Sequence, residues 1–264
     1  MKKNPSLTCL LALTALTASL HTASAVLTIN NLETYQNQIR FDAAPPTFNA
    51  ANLTTLGSND WAIFGFDGTS APAILNRASG GTAISGPSTT INNTDVTAGN
   101  GGAAQHTYQR TNWNYTNGTS PGTASGSNSG GLGVVGDNTL AQQISFSIDV
   151  TGINQGYADV WYSTFQGNSV LTAFLGSELA SASVLQGFDL VGLQHTRFNF
   201  TKIDPTDDTL FFSLGMDQRF SFNPQVTLYG VAFSAIPEPS TWALLAGGLA
   251  VLVVLRRRSV SLKS

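Results

Sequence analysis

The chain has 264 residues, of which 42% are hydrophobic and only 10% charged, with a formal net charge of −3 and a single cysteine. One cysteine excludes a disulfide framework and a thiolate-built zinc site. So small and so negative a charge excludes a nucleic-acid-binding surface, which needs clustered lysine and arginine.

Met1 to Ala25 begins with Lys2 and Lys3, continues through Leu7, Leu10, Leu11, Leu13 and Leu16, and closes on Ala23-Ser24-Ala25. This is the three-part layout of a secretory signal peptide. Small residues at Ala23 and Ala25 suit a signal peptidase, which sets cleavage before Val26. The apolar residues show no 3.6 period, so an amphipathic first helix of the domain fits them poorly. Cys9 lies too early, behind Ser6-Leu7-Thr8, to carry a lipid anchor. The mature chain therefore has no thiol, and its stability must come from a core.

Residues 26–235 are expected to form one extracellular domain. They hold Arg40, Arg77, Arg110, Arg197, Lys202 and Arg219 against fourteen acidic side chains, which leaves −8. That charge repels phosphate backbones and leaves divalent cations and neutral sugars as partners. The domain is rich in Gly, Thr, Asn and Ser and poor in Lys and Glu, which disfavours long exposed helices.

In chain order, strands are predicted at Val26–Ile29, Trp61–Phe66, Ala83–Ile91, Ile144–Val150, Ala158–Thr164, Leu171–Leu175, Arg197–Ile203, Thr209–Leu214 and Val226–Ser234. Ile144-Ser145-Phe146-Ser147-Ile148-Asp149-Val150 alternates strictly, as a strand with one face on a core and one in water must. Short strands with turns between them predict an all-β fold, a β-sandwich of the jelly-roll kind. Asn92 to Asp137 resists this pattern, being Gly-, Asn-, Ser- and Thr-rich around one aromatic island, Tyr108 to Tyr115. A structureless segment of that length is uncommon, so the island is expected to pack on the sandwich or line a site. Ser58-Asn59-Asp60-Trp61, Gly80-Gly81, Ile84-Ser85 and Trp113-Asn114-Tyr115-Thr116-Asn117-Gly118-Thr119 together resemble a β-sandwich module of bacterial extracellular proteins. The resemblance implies a single domain and says nothing of its activity.

No catalytic set emerges. His106 and His195 are the histidines left after signal cleavage and form no H-x-x-x-H pair. No G-x-S-x-G elbow is present, and Glu33 and Glu178 are the glutamates of the domain, so no carboxylate pair stands out for glycoside hydrolysis. No cofactor is expected. Asp204, Asp207 and Asp208 surround Pro205 and have two readings: a weak calcium site, or a solvated turn that uses its aspartates for local hydrogen bonds. Arg110, Trp113 and Tyr115 are the candidate carbohydrate-binding residues, because a sugar ring stacks on an aromatic face while its hydroxyls bond to polar neighbours. Trp61 and Trp161 lie within strand patterns and read as core.

The last segment runs Ile236-Pro237-Glu238-Pro239-Ser240-Thr241-Trp242, then apolar from Ala243 to Leu255, then Arg256-Arg257-Arg258. Pro237 and Pro239 hold the chain extended. Trp242 to Leu255 as a helix reaches about 21 Å at 1.5 Å per residue, short of a hydrocarbon core of about 30 Å. Arg256, Arg257 and Arg258 stop this transmembrane helix on the cytoplasmic side, which leaves residues 26–235 outside. Residues 236–264 thus form a tail beyond the domain. The tail resembles the PEP-CTERM sorting signal, with Pro237, Glu238 and Pro239 as its recognition residues. That resemblance implies an exosortase as partner and delivery to the cell surface or an exopolysaccharide matrix.

Three functions are weighed on this basis. The first is a non-enzymatic structural or adhesive surface protein, anchored in the membrane until processed. The second is a carbohydrate-binding module that meets extracellular polysaccharide. The third is a polysaccharide-active enzyme.

Overall fold

A computed structural model describes residues 26–39, 47–66, 71–90, 102–135, 143–184, 190–202, 204–219, 224–237 and 247–248. The signal peptide with Ala23 and Ala25, the motif residues Glu238 and Pro239, and the Arg256–Arg258 stop lie outside these residues. Among those described, no helix is long and apolar enough to cross a membrane.

The elements are β1 (Val26–Ile39), β2 (Thr47–Asn52), the single turn α1 (Leu53–Leu56), β3 (Asp60–Phe66), β4 (Pro72–Arg77), β5 (Ser88–Thr90), β6 (Gly102–Tyr115) and β7 (Ala124–Val135). There follow β8 (Gln143–Asp149), β9 (Gln155–Phe165), β10 (Gly167–Leu175), β11 (Glu178–Val184), β12 (Leu190–Thr201), β13 (Thr209–Arg219) and β14 (Gln225–Ala235). The described strands form two sheets. One runs β1-β12-β9-β14-β7-β6-β2, with β3 also paired to β14 and β4 to β3; the other runs β11-β10-β13-β8-β5. The chain is all-β, with its core between these sheets.

That core is built by alternation. In β8 the odd positions look outward while Ile144, Phe146 and Ile148 are buried. An aromatic chain crosses from sheet to sheet: Phe64 of β3 lies 5.5 Å from Phe146, Phe146 stacks on Phe212 of β13 at 4.7 Å, and Phe212 meets Phe198 of β12 edge-on at 5.3 Å. Such pairs add about 0.5–1.5 kcal/mol each beyond the area they bury.

Strands β9 and β14 break the alternation, being buried at nearly every position. Continuous burial means both faces are covered. One face meets the central core. The other carries a second cluster, in which Trp61, Ile63, Trp161, Phe165, Leu193 and Tyr229 of the larger sheet meet Ala51, Leu53, Trp113 and Tyr115 from β2, α1 and the end of β6. The larger sheet is thus covered on both faces at β9 and β14, on the outer one by its own β6–β2 end and α1.

The segment that resists the strand pattern, Asn92 to Asp137, contains β6 and β7, an antiparallel pair running from Gly102↔Val135 to Tyr115↔Ala124 with register shifts between His106 and Thr111 and between Trp113 and Tyr115. Glycine usually weakens a strand, which is why β7 is illegible from propensity. Here it is required: a Cβ on Gly131 would stand 2.5 Å from Thr227 Cγ2 and 2.7 Å from Leu228 O of β14.

Candidate functional site

The three candidate sugar contacts are not brought together at the surface. Trp113 has none of its surface open and Tyr115 almost none. Trp113 meets Trp161 edge-on at 5.1 Å, and Tyr115 packs on Trp61 at 4.7 Å. Gly230 makes the room, since a Cβ there would stand 3.2 Å from the Trp113 ring. Tyr115 Oη accepts a hydrogen bond from Asn76 Nδ2 at 2.9 Å. Both rings are therefore core, which fits the island packing on the sandwich and corrects their candidacy as sugar-stacking contacts. The Arg110 backbone pairs with Thr47 in a parallel ladder, and its side chain lies outside the described residues.

The aspartate cluster also separates. Asp204 Oδ1 accepts from Thr206 N at 2.9 Å and Thr206 Oγ1 at 2.6 Å, and these bonds lower its pKa. Asp208 pairs with Lys202 at 3.1 Å, while the Asp207 carboxylate lies over Gly176 in the β10–β11 turn. Of the two readings of this cluster, these contacts fit the hydrogen-bonded turn. Among the described residues no three His, Cys, Asp or Glu side chains converge as a metal site.

What the fold does assemble is a cleft of about 420 Å³ on the outer face of the larger sheet, lined by Glu33, Asn49, Asn52, Thr55, Leu56, Trp161 and His195, with Ala50 and Ala51. Its floor is a row across three strands: Glu33 of β1 faces His195 of β12, which faces Trp161 of β9. A register shift between Asn31 and Glu33 puts Glu33 on the face that His195 occupies. Its rim is β2 and α1, the latter capped by Asn52, whose Oδ1 accepts from Thr55 N at 3.2 Å.

The polar groups are positioned from several sides. Asn49 Nδ2 donates to Glu33 Oε1 at 2.6 Å, while the buried Glu33 Oε2 has no partner. The His195 ring stacks on Trp161 at 4.2 Å, its side chain 10% exposed. Its Nε2 is buried and lies 3.4 Å from Asp159 Oδ1, within ion-pair distance but with no hydrogen bond. Asp159 is committed elsewhere: Arg197 grips it in a two-pronged pair at 2.9 and 2.7 Å and lies over the Tyr157 ring. The hydrogen bond to Asp159 raises the Arg197 pKa, opposed by partial burial. A buried polar atom left unpaired costs about 1–3 kcal/mol, so two in one cleft mark where a ligand would recover most. Periodicity could not reveal this row, because Glu33 and His195 meet only through strand register.

The outer face of the smaller sheet is open to solvent, with Asp149 exposed at one end of it. Leu179, Phe174 and Phe211 align across β11, β10 and β13 and are all exposed. Beside them run Ser181, Thr172, Ser213, Ser145 and Ser88, with Ser88 Oγ and Ser145 Oγ 2.8 Å apart.

The chain leaves the sandwich at the end of β14. Ile236 N donates to Gln155 O at 2.9 Å, and Ala235 N to Asn59 Oδ1 at 2.7 Å, so β14 is clasped to its last residue. Pro237 is exposed, and its carbonyl accepts from Gln155 Nε2 at 3.4 Å. Residues 235–258 match the family model of the PEP-CTERM protein-sorting motif. The tail is a PEP-CTERM sorting signal. The PEP-CTERM tail is an address for export and exosortase processing, and it starts where the last strand stops.

No curated protein matches the chain. Among solved structures, TmCBM61 in complex with β-1,4-galactotriose is similar with a TM-score of 0.37 at 8% identity, over 57% of this chain and 88% of that one. A structure of carbohydrate-binding modules from the β-sandwich superfamily gives 0.31 at 10% identity, over 66% and 61%. The Podospora anserina GH26-CBM35 β-(1,4)-mannanase gives 0.27 at 8%, over 62% and 28%.

Proposed function

We propose that this is an exosortase-sorted protein of the cell surface or exopolysaccharide matrix, with a non-enzymatic structural or adhesive role. The observation that carries it is the PEP-CTERM motif at 235–258, placed directly after β14. In this reading a signal peptidase cuts after Ala25, residues 26–235 act as one domain of jelly-roll type, and the tail holds the chain in the membrane through its apolar helix and Arg256–Arg258 until an exosortase reads Pro237, Glu238 and Pro239. Because the motif lies beyond the clasped end of β14, processing removes no strand.

The test is to change Pro237, Glu238 and Pro239 to alanine in a host with an exosortase, then follow size and location by immunoblot of cell fractions. The variant is expected to stay membrane-bound at its unprocessed size. Processing and display like the parent's would refute the sorting role.

A second reading, a carbohydrate-binding module, is favoured by the exposed face of the smaller sheet. Its apolar row beside a hydroxyl row matches the two kinds of surface a neutral polysaccharide presents, C–H faces and O–H edges. That face replaces the Arg110, Trp113 and Tyr115 set as the candidate surface for extracellular polysaccharide.

A further inference from the structure

We infer that the Glu33–His195 cleft binds a small polyhydroxylated ligand, one or two sugar units, held end-on by hydrogen bonds and not by ring stacking. Its aromatic ring is already engaged, with Trp161 stacked on His195 and met edge-on by Trp113. What the cleft offers instead is hydrogen-bonding capacity. Glu33 Oε2 can only accept, and His195 Nε2 accepts or donates according to its proton. Hydroxyl groups, which donate and accept at once, satisfy such a mixture.

Other ligand classes fit worse. An anion would meet the Glu33 carboxylate. A hard cation wants several oxygen ligands, whereas among the described residues Glu33 is the one carboxylate lining the cleft, and the buried Asp159 is held by Arg197. The volume, about 420 Å³, lies toward the small end of ligand pockets, which run from roughly 300 to 1,000 Å³. This site shares its ligand class with the sheet-face reading but none of its residues, so variants separate the two.

The experiment uses the full-length chain purified in detergent, with saturation-transfer NMR against glucose, galactose, mannose, N-acetylglucosamine and their disaccharides. At least one sugar is expected to bind saturably. Glu33→Gln and His195→Gln should each weaken it tenfold or more, while Phe174→Ala with Phe211→Ala leaves it unchanged. Glu33→Gln keeps the shape of an edge-strand residue, so it decides the matter even if His195→Gln fails to fold. No sugar binding, binding untouched by Glu33→Gln, binding lost only in the phenylalanine variant, or tight zinc binding abolished by the same two substitutions would each overturn the inference.

Discussion

Asp60 shows how one side chain can organise a region. It is fully buried, and its Oδ1 accepts from Trp61 N at 2.8 Å while Oδ2 accepts from Arg77 Nη2 at 2.8 Å and Ile84 N at 2.9 Å. Three elements are thereby tied to one carboxylate: β3, β4 and the segment leading to β5. Removing it leaves two backbone donors and a guanidinium to find other partners. Asp60→Ala is expected to cost about 3 kcal/mol in urea unfolding. Arg77→Ala should cost less, because Arg77 is a quarter exposed and Asp60 would keep its two backbone donors. Equal costs would show that the backbone bonds contribute nothing. In sequence Asp60 was legible as part of the Ser58–Trp61 segment of the resemblance, without the partners that its carboxylate gathers.

Among the elements, the strands on the core were the legible ones. Ile144–Val150 and Thr209–Leu214 alternate because one face is wet, and the structure places β8 and β13 there. The predicted Ala83–Ile91 shrinks to the three residues of β5, paired with β8. β7 was hidden because Gly131 answers to β14 and not to local propensity. The smaller sheet's outer face makes its own prediction. Phe174 and Phe211, 6.3 Å apart, are each more than one-third exposed. Replacing both with alanine should therefore change stability by less than about 1 kcal/mol. The same variant should lose retention on affinity gels cast with the host's polysaccharide. Unchanged retention would remove the sheet-face reading.

At the scale of the whole molecule, β14 decides where the domain can end. It pairs with β9 on one side and with β7 and β3 on the other, and supplies Leu228, Val231 and Phe233 to the central core and Tyr229 and Ala232 to the second. A chain stopped after Pro237 keeps all of this and should melt within about 2 °C of the full chain by circular dichroism. One stopped after Leu228 loses both cores' share and should not fold. A folded protein from the second truncation would mean that β14 is dispensable. Exosortase processing beyond Pro237 is thus compatible with an intact sandwich.

The sequence by itself determined the address and the fold class. A sorting motif is read in extended form and needs no partner from elsewhere in the chain, and alternation is local, so the tail and the wetted strands both show in one dimension. Only the tertiary structure decided which aromatics are buried and which polar groups meet. Trp113 occurs among Gly, Asn and Thr, yet the bulge that places Gly230 opposite Trp161 opens a seat for its ring. Glu33 and His195 lie far apart along the chain, and a one-residue register shift in β1 puts them on the same face. Strand pairing sets such meetings, because a slip by one residue sends each side chain to the opposite face.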